Sequence, residues 1–154
     1  MTEKHVDAIC EQIEAEDDPN KAVKEITLDQ NFLSDEGLER ILTTVFGKHP
    51  SNTLMTLNYT NNELGPRSLR VIHDLINKDL VKHLTDLRLS NLKISESCIS
   101  QLFDTLKDNY NLNKLRISKI HLGSSRNIHQ FTNFLKENRT FAELDLSWTS
   151  LNAK

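Results

Sequence analysis

Apolar positions along the chain recur at two alternating spacings. The first is a short cluster, seen as Val23-x-x-Ile26-x-Leu28, Leu54-x-x-Leu57-x-Tyr59, Leu84-x-x-Leu87-x-Leu89, Leu112-x-x-Leu115-x-Ile117 and Phe141-x-x-Leu144-x-Leu146. Alternation at its end places these side chains on one face of an extended strand. Counted from the third apolar residue, the steps run 28 to 59, 59 to 89, 89 to 117 and 117 to 146, or 31, 30, 28 and 29 residues. Five residues further on, another apolar residue recurs as Leu33, Leu64, Ile94, Leu122 and Leu151. The second spacing is helical: Leu38, Ile41 and Val45, then Leu69, Ile72 and Ile76, then Ile99, Leu102 and Leu106. Steps of three and four residues put each set on one helix face. The fourth set, Ile128, Phe131 and Leu135, comes one residue late and predicts a one-residue insertion in the loop 121–127.

Each period is therefore a strand, a turn and a helix, and such a unit buries its apolar face only between neighbours. The units run over 23–53, 54–83, 84–111, 112–140 and an incomplete 141–154. Residues 1–22 read as an amphipathic capping helix and link, with Val6, Ile9, Cys10 and Ile13 on one face. Asp17-Asp18-Pro19-Asn20 stops it, because proline disfavours helix in the residue before it. After Leu151 only Asn152, Ala153 and Lys154 remain. Either the chain is a fragment of a longer array, or its last strand is covered by a partner or a second copy, which gives self-association through the C-terminal end.

This pattern resembles the leucine-rich repeat, in its long helical, ribonuclease-inhibitor-like class. Leu28-Asp-Gln-Asn31-Phe-Leu33-Ser-Asp-Glu-Gly37-Leu38 is similar to the consensus of that class. The resemblance implies an α/β solenoid, a horseshoe with parallel strands on its concave side, helices on its convex side and an N-terminal helical cap. Asn31 and Asn62 occupy the position whose amide bonds the backbone of the turn leaving the strand, where the other units carry Leu92, Ile120 and Thr149. Gly37 falls at the link between turn and helix, matched by Ser68 and Cys98. The segment Ile13 to Gln30, with its Asp-Asp-Pro-Asn link, also resembles the start of the tropomodulin carboxyl-terminal repeat domain. Such repeats occur in enzyme inhibitors, innate immune sensors, Ran GTPase activators and actin regulators. What the resemblance implies is a non-catalytic protein-interaction module, with an actin-filament regulator or a GTPase-activating domain as the alternatives.

Composition narrows this further. The 154 residues are 37% hydrophobic and 27% charged with a net charge of −3, an ordinary surface that names no partner class. No apolar run reaches the roughly 18 residues of a membrane span, and the first 20 residues build no signal-peptide core, so the expected location is cytoplasmic. Cys10 and Cys98 lie on apolar stripes and are expected as buried thiols. The six histidines show no H-E-x-x-H spacing, with His73 and His129 on outward helix faces, and there is neither a nucleophile elbow nor a phosphate loop. No enzymatic activity, metal or cofactor is expected. Sparse basic residues without interleaved aromatics also argue against nucleic acid. Asn58-Tyr-Thr60 and Asn138-Arg-Thr140 match the glycosylation acceptor pattern, a match expected to be coincidental because the first 20 residues build no signal-peptide core.

The candidate chemistry is a recognition face. Between the inward apolar residues of each strand run solvent-facing rows: Glu25, Thr56, Asp86, Lys114, Glu143, and Thr27, Asn58, Arg88, Arg116, Asp145. Beyond them come Asp29, Thr60, Ser90, Ser118, Ser147, and then Gln30, Asn61, Asn91, Lys119, Trp148, all assigned to the same concave face. The rows hold no large aliphatic residue, so this face is expected to be solvated and free. Bases gather on the third and fourth units (Arg88, Lys114, Arg116, Lys119), and acids with a tryptophan on the fifth (Glu143, Asp145, Trp148). The predicted partner-binding residues are Arg88, Lys114, Arg116, Lys119, Asp145 and Trp148. The competing reading holds Arg88 and Arg116 in surface ion pairs with Asp86, Glu143 and Asp145.

Overall fold

A computed structural model describes residues 3–16, 18, 23–48, 54–77, 82–107 and 109–151. Ten elements alternate: α1 (Glu3–Ala15), β1 (Glu25–Thr27), α2 (Asp35–Lys48), β2 (Thr56–Asn58), α3 (Pro66–Asn77), β3 (Asp86–Arg88), α4 (Glu96–Leu106), β4 (Lys114–Arg116), α5 (Ser125–Glu137) and β5 (Glu143–Asp145). The strands form one parallel sheet in the order β1-β2-β3-β4-β5, and each helix packs on the next. Sequence order is thus spatial order. The stop assigned to Asp17, Pro19 and Asn20, and the residues 152–154, lie outside the described residues. Among the described residues no helix is long and apolar enough to cross a membrane.

Registration follows the apolar pattern. Ile26, Leu57, Leu87, Leu115 and Leu144 stand opposite one another across the sheet, and Glu25 is aligned with Thr56, Asp86, Lys114 and Glu143. The inward leucines of the second, third and fourth units are all buried, as are Leu38, Ile41, Val45, Leu69, Ile72, Ile99, Leu102 and Leu106. Val6 and Cys10 of α1 are buried in the same core, with Ile9 and Ile13 packed against it. Both cysteines are buried free thiols.

Four helix starts occupy one row, Ser34, Gly65, Ser95 and Ser124, each accepting the first helical bond through its carbonyl, at Leu38, Leu69, Ile99 and Ile128. Three of them cap in the usual way, Ser34, Ser95 and Ser124 accepting the N–H of Gly37, Cys98 and Asn127 on their hydroxyls. Leu33 to Leu38 is therefore one residue shorter than Leu122 to Ile128, in line with the one-residue insertion. Gly65 has no side chain to offer, and Asp35 of the preceding unit replaces it. Its carboxylate accepts the N–H of Gly65 (3.0 Å), Arg67 (2.9 Å) and Ser68 (2.9 Å). Burial alone would raise the Asp35 carboxyl, but the hydrogen bonds from Ser68, Arg67 and Gly65 outweigh it and hold the group below the usual carboxylate range.

Gly37 differs from its expected role. It is the third residue of α2, no glycine has a positive φ, and a Cβ here would lie 2.6 Å from Leu33 Cδ2 and 3.5 Å from Val6 Cγ2. The position is small so that α1 and Leu33 can approach, not so that the chain can turn. At Asn62 the expected role is met and extended across units. Its buried amide donates to the carbonyls of Leu28 (2.7 Å), Thr60 (3.0 Å) and Tyr59 (3.2 Å), and accepts from Leu33 N–H at 2.9 Å. Asn138 is likewise buried, donating to Asn109 C=O at 2.9 Å, so its acceptor-like sequence is a structural device.

Candidate functional site

The strand face carries two charged rows, and their charges are engaged with one another. Arg88 donates from Nε to both oxygens of Asp86 at 3.2 Å and from Nη2 to Oδ2 at 2.6 Å. Asp86 is buried, a departure from the expected free face. Arg116 donates from Nε (3.0 Å) and Nη2 (2.6 Å) to Glu143 Oε1, while Lys114 Nζ stands 3.7 Å from Glu143 Oε2. The Asp86 hydrogen bond raises the Arg88 guanidinium pKa, and the Arg116 hydrogen bond holds the Glu143 carboxyl below its ordinary value. Asp145 is not a partner of Arg116 by hydrogen bond: its Oδ1 accepts the hydroxyl (2.7 Å) and N–H (3.0 Å) of Ser147, which depress its pKa. Neither Arg88 nor Arg116 is therefore a spare guanidinium, since releasing either one breaks a charge-assisted contact.

The row Gln30, Asn61, Asn91, Lys119 and Trp148 lies elsewhere than expected. Each strand is three residues long, and these five residues sit in the turns that follow, with φ of 57, 60, 53, 57 and 61°. They form an edge beside the strand face. Every turn uses a left-handed residue here, and asparagine tolerates that conformation better than other side chains. Asn91 donates to Asn61 Oδ1 (2.6 Å) and Asn61 to Asp29 Oδ1 (2.8 Å), a side-chain ladder along the first three units. The ladder stops at Lys119 and Trp148. Lys119 is exposed, and Trp148 is 84% exposed in a conformation costly for a bulky residue.

The six anticipated residues thus divide. Arg88, Lys114, Arg116 and Asp145 share the strand face, whereas Lys119 and Trp148 share the turn edge. The last unit is apolar and open beside them: Phe141, Leu144 and Leu146 are half-buried and Leu151 is exposed. Sequence reasoning missed Phe32, 85% exposed with φ 50°, because that place in the repeat showed no apolar periodicity to mark it. A groove of about 650 Å³ along the turn edge is lined by Gln30, Phe32, Asn61, Glu63, Asn91 and Lys93 among others. Lys93 Nζ closes on Glu63 Oε2 at 3.1 Å in its wall.

No protein-family model matches the chain, and no curated protein sequence does. Solved structures do match by shape. The chain is similar to a domain described as leiomodin-1 actin-binding site 2, with a TM-score of 0.64 and 20% identity over 91% of this chain and 78% of that one. It is similar also to the tropomodulin C-terminal domain of Caenorhabditis elegans, with a TM-score of 0.63 and 13% identity over 95% of this chain and 84% of that one. At these identities the likeness is one of fold, and it identifies the array as leucine-rich-repeat-like: five parallel strands alternating with five helices.

Proposed function

We propose that the chain is a non-catalytic protein-interaction domain that binds actin. One observation carries the reading: the fold overlays a domain described as an actin-binding site over 91% of this chain and 78% of that one. An unbroken solenoid surface suits an extended protein partner better than a small substrate. Within it the contact is assigned to Lys119 and Trp148 on the turn edge, with Arg88, Lys114, Arg116 and Asp145 as a self-neutralised rim. Exposed tryptophan is the residue type most often found at interface hot spots. An arginine acting at a partner's nucleotide fits less well, because Arg88 and Arg116 are already held by carboxylates.

The test is co-sedimentation with actin filaments, together with elongation measured separately at each filament end. Pelleting with filaments or a change in pointed-end growth is expected; no effect in either assay sinks the reading. Trp148→Asn is the informative variant. Asparagine suits φ 61° better than tryptophan, so the variant should gain roughly 1 kcal/mol of stability while losing about tenfold in actin affinity. An unchanged affinity would remove Trp148 from the interface without any question of misfolding.

A further inference from the structure

Charge is not spread evenly along this array. The first forty residues carry twelve acidic and four basic side chains, a net of −8, and the remaining 114 carry ten acidic and fifteen basic, a net of +5, which together give −3. Because the sheet order is the sequence order and α1 packs on α2, the imbalance among the described residues is spatial, eleven acids and three bases up to Arg40 against eight acids and thirteen bases beyond it: one end of the solenoid is acidic.

Phe32 stands at that end. It follows the first turn, is 85% exposed, and forms a wall common to two depressions. On one side lies the groove of about 650 Å³ along the asparagine ladder. On the other is one of about 420 Å³ between α1 and α2, lined by Glu3, Val6, Ser34, Glu36 and Arg40 among others. Both arginines near the second groove are already engaged, and one of them is shared between two carboxylates. Arg40 is held by Asp7, and Arg67 lies 3.5 Å from Glu36 and 3.7 Å from Glu39. Around Phe32 the carboxylates Glu3, Asp7, Asp35, Glu36 and Glu39 outnumber the bases Lys4, Arg40 and Arg67, so the surplus is negative.

We propose that Phe32 anchors a second docking surface, and that its occupant is a basic polypeptide segment that places an apolar side chain against the ring and lysine or arginine side chains toward Glu3 and Glu36. An exposed ring between two concavities supplies contact area at little entropic cost, and the acidic end selects the sign of the partner and accelerates its approach. The surface lies at the opposite end of the array from Trp148 and does not depend on the actin reading.

The experiment uses the whole chain as bait for a displayed library of random dodecapeptides, followed by anisotropy titration of the enriched peptides and amide-shift mapping. Enriched sequences should combine lysine or arginine with an aromatic or aliphatic residue, and their affinity should fall as salt rises from about 0.05 to 0.3 M. Shifts should centre on residues 28–40 and 61–67. Phe32→Gly fits the left-handed backbone and should keep the fold intact by circular dichroism while weakening binding about tenfold or more. Glu3→Lys with Glu36→Lys should do the same through charge. Failure to enrich any peptide, a neutral or acidic consensus, shifts confined to the strand face, or binding indifferent to Phe32→Gly would each overturn the assignment. A concentration-dependent dimer that Phe32→Gly abolishes would overturn the separate partner and give the surface to a second copy.

Discussion

Asp35 belongs to one unit and caps the helix of the next, so its removal is felt outside its own repeat. Asp35→Ala leaves three N–H groups at the start of α3 without their acceptor and should cost about 1–2 kcal/mol, read as a lower denaturant midpoint with an unchanged slope. The sign of its pH dependence is fixed by the depressed carboxyl. With a folded pKa below the unfolded value near 3.9, the contribution is complete above about pH 4 and is lost as pH falls through the folded pKa. The alanine variant should accordingly show a shallower loss of stability below pH 4; an identical acid limb would show that the cap is not ionic. Gly65→Ala tests the same contact from the other side, because a Cβ there would sit 2.6 Å from Asp35 Oδ2. The two substitutions should be clearly less than additive in a double-mutant cycle.

At the level of elements, the fifth helix is held chiefly by aromatic packing. Phe134 meets Phe103 at 5.5 Å and Phe141 at 5.3 Å between ring centroids, joining α4, α5 and the approach to β5. Phe134→Ala should cost about 3–5 kcal/mol, measured by chemical unfolding; a loss under 1 kcal/mol would mean that the fifth unit is not part of the cooperative core. The strands and helices were legible in the sequence because both periods were intact, and even the late register of Ile128 and Phe131 pointed to the added residue before α5. The cross-unit devices were not legible. Asp35 reads as an acid favouring its own helix start, and only the stacking of units brings it to α3. Arg88 could be drawn with several acids, and it closes on Asp86, two residues back on its own strand and on the same face. The turn edge was misplaced because alternation was carried past the third strand residue, where the backbone had already turned left-handed at Gln30, Asn61, Asn91, Lys119 and Trp148.

The whole molecule behaves as a row of nearest neighbours, with the most complete burial in its middle. The inward residues Leu57, Leu87 and Leu115 are almost wholly buried, whereas Leu144 of the last strand is not. Hydrogen exchange should therefore be slowest in β2, β3 and β4 and faster in β5, with uniform protection across all five strands the contrary result. The same dependence on neighbours limits how such an array can change its length. The second unit carries a glycine at its helix start and takes the acid it needs from the first, while the later units each carry their own serine. Duplicating residues 54–83 in tandem would give a second Gly65 whose upstream neighbour carries Pro66 where Asp35 stands in the first unit. Excising them would leave Asp35 facing Ser95, which already caps its own helix. Duplication at this junction is thus penalised while excision leaves every remaining helix capped, and the second unit can be moved into another array only together with the first, as the pair 23–83.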